Sequence, residues 1–123
     1  MSNHQASGPI DQTKLAELRA LERPGKEGFF AKFLGVFLAD AEKQVERIRR
    51  AAQERDHEAV AIAAHTLKGS SYYVGAGRLA DLCRRLEDLA EQGVLEGEPA
   101  AAVERELAEV SAVLAAEAAK AKS

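Results

Sequence analysis

The sequence predicts an all-α protein in which four or five helices form one bundle. Apolar residues make up 46% of the 123 positions, whereas aromatic residues make up only 5%, which favours a core of Ala, Leu and Val. The three prolines, at positions 9, 24 and 99, leave the long periodic segments uninterrupted. No segment requires a strand. At this length we expect one domain, residues 10–120, after a flexible leader at residues 1–9.

A short first helix is predicted after the leader, and a long second helix follows it. Asp11 or Thr13 can cap the first helix, which we expect to end near Glu22 because Pro24-Gly25 breaks the chain. Its apolar positions are Ile10, Leu15, Leu18 and Leu21. The second helix is predicted from about residue 27 to 53. Its broad apolar face, which has an edge to spare beyond the core, consists of Phe30, Phe33, Leu34, Phe37, Leu38, Ala41, Val45 and Ile48.

Three further helices complete the predicted bundle. Asp56 is a plausible N-cap of the third, which Gly75-Ala76-Gly77 should end. The fourth is predicted at about residues 78–92 and the fifth at about 99–120, with Pro99 in its first turn. Their apolar positions are Leu79, Leu82, Cys83, Leu86, Leu89 and Ala90 in the fourth, and Val103, Leu107, Val110 and Leu114 in the fifth.

The third helix carries a histidine on its outward face. At about 100° per residue, His65 lies nearly opposite Leu67. The residues that share the side of Leu67 are small or apolar: Val60, Ala63, Ala64, Ser71 and Val74. Those one or two turns from the histidine are Ala61, Ile62, Lys68, Gly69 and Tyr72. Gly69 costs an interior helix position about 1 kcal/mol relative to alanine, which makes sense if another molecule must approach the imidazole closely.

Each candidate residue also has a structural interpretation. His65 could be an ordinary surface histidine, but its position beside Lys68 and Gly69 favours a functional role. Glu87, at the flank of the fourth helix, either serves solubility alone or accepts a hydrogen bond from His65 and fixes its tautomer. Cys83 is expected in the core. His4 and His57 are expected to have no role, and the scattered histidines with one cysteine do not predict a metal site.

Composition argues against several classes of partner. The formal net charge of −3 and the lack of aromatic residues among the cations argue against nucleic acid. No apolar run approaches 18 residues, so we expect no membrane span, and the polar N-terminus lacks a signal-peptide core. No glycine-rich phosphate loop follows a strand, so a nucleotide site is not expected. A cytoplasmic location is predicted by default, since one cysteine cannot form an internal disulfide.

One continuous segment carries a family resemblance. The run Ala64-His65-Thr66-Leu67-Lys68-Gly69-Ser70-Ser71 is followed by Val74-Gly75-Ala76 and by Leu79-Ala80-Asp81-Leu82-Cys83-Arg84-Arg85-Leu86-Glu87. This pattern resembles the histidine-containing phosphotransfer (HPt) domain of multistep two-component signalling. The resemblance implies an antiparallel up-down four-helix bundle with a short N-terminal helix over one end. It also implies that His65 accepts a phosphoryl group from a receiver-domain aspartyl phosphate and passes it to another receiver.

The resemblance also assigns the residues around His65. Lys68 would neutralise phosphate charge, Gly69 would leave room for the receiver, and Glu87 occupies a position that is often glutamine hydrogen-bonded to the histidine. The pair Tyr72-Tyr73 is bulkier than the small residues that the family often has after the Ser-Ser pair, and Tyr72, which lies near the His65 face, could affect partner choice. Ala61, Ile62, Tyr72 and the spare edge of the second helix would form the docking patch.

The expected partners are response regulator receiver domains and a hybrid histidine kinase. Mg²⁺ is expected on the receiver, and no cofactor is expected on this chain, which should be a monomeric phosphocarrier and not an enzyme. Two alternatives remain open. The bundle could be an interaction module that carries no phosphate, or it could be the phosphoacceptor domain of a chemotaxis-type kinase.

Overall fold

The computed structural model describes residues 8–96 and 98–122, with side chains described as far as residue 120. It contains five helices: α1 (Gln12–Arg19), α2 (Phe29–Gln53), α3 (His57–Val74), α4 (Gly77–Glu91) and α5 (Pro99–Lys122). The described residues contain no strand, which confirms the all-α prediction. Of the predicted leader at residues 1–9, residues 1–7 lie outside the described part of the chain.

Helices α2 to α5 form a closed four-helix bundle. Each packs against two neighbours, in the circular order α2, α3, α4, α5 and back to α2. Short connections reverse the chain between successive helices, which gives the up-down arrangement. Helix α1 lies across one end of the bundle, where the Asp11 N–H donates to the Gly75 carbonyl and Arg19 pairs with Glu117 of α5.

The helix ends follow local chemistry. The Asp11 carboxylate accepts hydrogen bonds from the backbone N–H groups of Thr13 (2.9 Å) and Lys14 (3.4 Å), and Asp56 accepts one from Ala59 (3.1 Å). Gly75 ends α3 at φ 87°, in the left-handed region. A side chain there would also lie within 2.9 Å of Lys14, so glycine suits both the backbone and the docking of α1.

One predicted helix boundary was wrong. Helix α1 ends at Arg19 and not near Glu22, because the N–H groups of Leu21 and Glu22 bond to carbonyls only three residues back and tighten the chain into turns. Leu21 therefore lies outside the helix and is 47% exposed. Helix α2 begins at Phe29, two residues after the predicted start near residue 27, because Gly28 adopts φ 85°, which an α-helix excludes. The other boundaries agree within two residues.

The core runs along the bundle axis and is mainly aliphatic, with large buried side chains that include Phe30, Leu34, Ile48, Leu67 and Leu114. Cys83 is fully buried, as predicted. Four predicted core residues are only partly buried: Phe33, Leu38, Leu82 and Leu89. No helix in the described ranges combines the length and apolar character that crossing a bilayer requires.

Candidate functional site

His65 projects from the middle of α3 away from the core. Its side chain is 66% exposed, whereas Leu67 on the opposite side of the helix is fully buried. The helix-wheel prediction of an outward imidazole is therefore confirmed. An exposed ring nitrogen can meet a group on another protein without any rearrangement of this bundle.

Glu87 of α4 reaches across the seam between the two helices and holds the imidazole. Its Oε2 lies 3.0 Å from Nδ1 of His65, and its side chain is only 14% exposed. Because an ionised carboxylate can only accept a hydrogen bond, Nδ1 carries the proton and donates it. When the ring is neutral, Nε2 is then left with its lone pair.

Lys68 binds the second oxygen of the same carboxylate. Its Nζ donates to Oε1 of Glu87 at 2.9 Å, and this hydrogen bond is the main cause that raises the pKa of Lys68. Partial burial raises the pKa of Glu87, but the hydrogen bonds from Lys68 and His65 outweigh it, so the pKa is lowered overall. Glu87 is therefore ionised at neutral pH, and its two oxygens link the ammonium group to the imidazole.

Gly69 leaves the surface beside His65 flat. Apart from its chain neighbours and the adjacent backbone of α3, a Cβ atom added at this position would meet no atom within 4 Å. Packing inside the bundle therefore does not require glycine here, although glycine costs the helix about 1 kcal/mol relative to alanine. The open space is on the outside, where a second molecule would approach.

The predicted docking residues lie in different environments. Ile62 is 61% exposed, one turn before His65. The expectation for Ala61 was wrong: it is 8% exposed and belongs to the core, because its side of α3 packs against α4. Ala61 instead lies at the edge of a groove of about 800 Å³ between α3 and α4, which also includes Ile62 and Glu91.

Two adjacent tyrosines leave α3 in different directions. Tyr72 is half-exposed, and its hydroxyl donates to Oδ1 of Asp81 on α4 at 3.3 Å. Tyr73, which the sequence analysis noted only for its bulk, lies on the side that faces α2 and meets the Phe33 ring edge-on. Phe33 in turn stacks on the exposed Phe29. Phe29, Phe33 and Tyr73 thus form an aromatic shelf, and the spacing of Phe29 and Phe33 at i and i+4 was the signal in the sequence that could have located its α2 part.

Two other residues have no part in the site. Burial raises the pKa of the Cys83 thiol to about 12, which removes the thiolate needed for nucleophilic chemistry. His57 lies at the far end of the α3–α4 groove, beside Gly93. Among the described residues, no group of three His, Cys, Asp or Glu side chains is arranged to hold a metal ion.

A comparison with sequence models of protein families tests the family resemblance that the motif suggested. The sequence model described as "Hpt domain" matches residues 32–116, which include most of α2 and α5 and all of α3 and α4. The chain belongs to the Hpt domain family. This confirms the resemblance stated from the sequence.

Two curated proteins are similar to this Hpt domain. One is the phosphorelay intermediate protein YPD1 of Candida albicans, 27% identical over 84 residues. The other is histidine-containing phosphotransfer protein 2 of Arabidopsis thaliana, 32% identical over 87 residues. Each match covers 68% of this chain, but 45% of the first relative and 56% of the second. The chain thus spans about half the length of the curated relatives that it matches.

Solved structures show the same fold over nearly the whole chain. The histidine-containing phosphotransfer protein HptB of Pseudomonas aeruginosa superimposes with a TM-score of 0.85 at 29% identity, over 93% of this chain and 97% of that one. The maize protein ZmHP2 gives a TM-score of 0.81 at 25% identity, over 96% and 92%. The superpositions cover more of the chain than residues 32–116, which the family model matches, so the structural similarity also includes α1.

Proposed function

We propose that this Hpt domain carries a phosphoryl group on Nε2 of His65, accepting it from an aspartyl phosphate on one receiver domain and passing it to another. The observation that carries the proposal is the exposed imidazole whose Nδ1 is bound by a mostly buried carboxylate. That arrangement leaves Nε2 as the ring nitrogen available to a partner. The names of the fungal and plant relatives, which refer to phosphorelay and phosphotransfer, support it.

Phosphoryl transfer requires the chain mainly to position the reacting nitrogen of His65. A neutral imidazole nitrogen can attack phosphorus in line, and phosphoryl transfer depends on orientation and charge stabilisation. Lys68 supplies a positive charge one turn from His65, although in this structure its ammonium group is bound to Glu87. After transfer the phosphoryl oxygens would compete with Glu87 for that ammonium group.

We expect the chain to act as a phosphocarrier and not as a kinase. Its sequence contains no nucleotide-binding motif, so the phosphoryl group must come from a partner that already carries it. The Mg²⁺ ion that assists transfer would be bound by the receiver domain. A monomeric state and a cytoplasmic location remain predictions.

The expected partners are receiver domains of response regulators and of a hybrid histidine kinase. The receiver would cover His65 and rest on Ile62, Gly69 and the aromatic shelf of Phe29, Phe33 and Tyr73. The surface combines exposed apolar groups with a glycine that adds no bulk, as a docking surface for close approach requires.

A second candidate function is an interaction module that docks on a receiver without carrying phosphate. The exposed Ile62 and Phe29 favour it, because an apolar surface can bind a partner without chemistry. In cells, His65→Ala would then leave partner regulation intact, whereas Ile62→Arg would abolish it.

Incubation with a phosphorylated receiver domain separates the two candidates. A phosphocarrier becomes labelled with phosphate that is stable in base and labile in acid, and His65→Gln abolishes the label while the helical circular dichroism is unchanged. An interaction module binds the receiver but remains unlabelled.

A further inference from the structure

Two grooves run along α3, one on each side of the ridge that carries His65. The α3–α4 groove, of about 800 Å³, and a second groove of about 400 Å³ between α2 and α3 are both bordered by Ile62 and Thr66. Ile62, His65 and Thr66 are all exposed. A partner that covers His65 therefore also lies over the openings of both grooves.

The α2–α3 groove carries an unpaired positive charge beside this ridge. Arg47 lines the groove and is exposed, and in the described part of the chain no carboxylate forms an ion pair with it. The other three arginines near this end of α2 are each paired with a glutamate of the same chain: Arg49, Arg50 and Arg55. The guanidinium group of Arg47 is thus the one that remains available to a partner.

The carboxylates of the same groove lie at its other end. Because α2 and α3 are antiparallel, Glu54 and Asp56 lie together at the end remote from Thr66. Asp56 caps the first turn of α3, and Glu54 is about 10 Å from Arg47 along α2. Solvent and salt screen exposed charges at that separation. The half of the groove next to Thr66 is therefore positively charged.

The α3–α4 groove carries negative charge on the opposite side of the ridge. Its exposed carboxylates are Glu58 of α3 and Glu91 of α4, and neither forms an ion pair with any residue that the structure describes. Glu58 lies in the first turn of α3, where the helix dipole favours an acid. Glu91 is the last residue of α4, where the dipole disfavours one. The electrostatics of the helices therefore do not account for Glu91.

We propose that Arg47 and Glu91 select and orient the receiver domain, which would present a carboxylate to Arg47 and a cationic side chain to Glu91 while its phosphorylation site faces His65. The proposal rests on the phosphocarrier function and adds the determinants of partner choice to it. Apolar contact is non-directional, so the exposed Ile62 does not by itself fix how a partner is rotated. Opposite charges on the two sides of the ridge favour one orientation and repel a receiver with the reversed pattern.

A double substitution separates the position of the charges from their sum. Arg47→Glu combined with Glu91→Lys inverts the polarity across the ridge, yet it leaves the formal net charge at −3. Arg85→Glu is the matched control for Arg47→Glu, because each replaces one positive charge by one negative charge. Arg85 is exposed and lies two residues before Glu87, which places it on the opposite side of α4 from the carboxylate that reaches His65.

The experiment measures association with an unphosphorylated receiver domain that binds the wild-type protein. At about 20 mM NaCl, Arg47→Glu should lower the association rate constant about tenfold, whereas Arg85→Glu should change it by less than about twofold. The inverted double variant should lower it about 100-fold, because sites on different helices act additively. At about 500 mM NaCl these differences should shrink to about threefold, since salt screens the charges. Circular dichroism checks that each variant is folded.

Four results would overturn the proposal. The first is an inverted double variant that associates at the wild-type rate, since net charge alone would then control binding. The second is an Arg85→Glu variant that is as slow as Arg47→Glu. The third is normal association but slow phosphoryl transfer in Arg47→Glu, which would place Arg47 at the phosphoryl group. The fourth is a wild-type association rate that does not depend on salt, and this measurement needs no variant.

The proposed function and this proposal fail in different ways. The association measurements use no phosphate, so they test the charge pattern whether or not His65 is phosphorylated. A wild-type protein that shows the expected dependence on Arg47 and Glu91, but takes up no phosphate from a phosphorylated receiver, would contradict the proposed function alone.

Discussion

The ring of Tyr73 on α3 meets the ring of Phe33 on α2 edge-on, with 5.7 Å between their centroids. Edge-to-face pairs of this kind hold both rings in one orientation. Tyr73 is nonetheless 55% exposed, and Phe29 extends the aromatic surface along α2. The helix that carries His65 is therefore joined to α2 by an aromatic shelf that faces solvent.

Removal of this shelf should weaken receiver docking more than it weakens the fold. We expect Tyr73→Ala to raise the Kd for a receiver about tenfold, because exposed aromatic groups contribute strongly to interfaces. Surface plasmon resonance with an unphosphorylated receiver measures this directly. The control is Tyr72→Phe, which removes only the hydroxyl that binds Asp81 and should change the Kd by less than about twofold. Unchanged affinity in Tyr73→Ala would exclude the shelf from the interface.

Substitution of Gly69 by residues with a side chain should show that the stability of the fold and the rate of phosphoryl transfer respond differently at this position. Since a Cβ at Gly69 meets nothing within 4 Å apart from its chain neighbours and the adjacent backbone of α3, Gly69→Ala should raise the free energy of unfolding by about 1 kcal/mol. Gly69→Leu should also fold, yet transfer from a receiver should fall by about 100-fold, because the new side chain occupies the space of the partner. Urea unfolding and single-turnover transfer test the two effects. Full activity of the leucine variant would show that no partner approaches this position.

The ion pair between Lys68 and Glu87 should stabilise the fold within a defined pH window. The pKa of Glu87 is lowered from its ordinary value of 4.5, so its contribution is present above about pH 4.5 and is lost as the pH falls through the lower folded-state value. The pKa of Lys68 is raised from 10.5, so its contribution is present below about pH 10.5 and is lost as the pH rises through the higher folded-state value.

Glu87→Gln tests this window. At pH 7 we expect it to lower the free energy of unfolding by about 1 kcal/mol, as for a partly exposed charged hydrogen bond. The difference from wild type should shrink in acid, as the pH falls through the lowered pKa of the wild-type carboxyl. Chemical unfolding at several pH values measures it, and a difference that stays constant until the wild-type carboxyl is fully protonated would argue against the ion pair.

A buried hydroxyl in α3 should be dispensable for stability. Ser71 is fully buried, and its Oγ has no hydrogen-bond partner within the described residues. Ser71→Ala should therefore raise the free energy of unfolding by about 1 kcal/mol, because it removes an unpaired polar group and improves helix propensity. Ser70→Ala is the matched control, since the Ser70 hydroxyl donates to the Leu67 carbonyl at 3.2 Å. A loss of stability in Ser71→Ala would imply a partner for its hydroxyl.

The sequence alone predicted the five helices and the outward direction of His65, because both depend on periodicity within one segment. Caps at Asp11 and Asp56 and the left-handed turn at Gly75 were equally local features. The early end of α1 was missed because it depends on tight three-residue turns that the apolar pattern, which continued to Leu21, did not reveal.

Relationships between helices were only partly predictable. That Glu87 meets His65 depends on how α3 and α4 are aligned along the bundle, and the helical phase of α4 alone left both interpretations of Glu87 open. The same close packing of α3 on α4 buries Ala61, which a single-helix wheel had placed beside the exposed histidine. Tyr73 was missed because its importance comes from Phe33 on a different helix.

The central claim is that Nε2 of His65 is the atom that carries the phosphoryl group. The most direct measurement is ³¹P and ¹⁵N NMR of the protein after incubation with a phosphorylated receiver domain and Mg²⁺. We predict one phosphorus signal coupled to Nε2 of His65, and no signal in His65→Gln. A phosphorus signal that persists in His65→Gln, or a wild-type protein that binds the receiver and stays free of phosphate, would contradict the account.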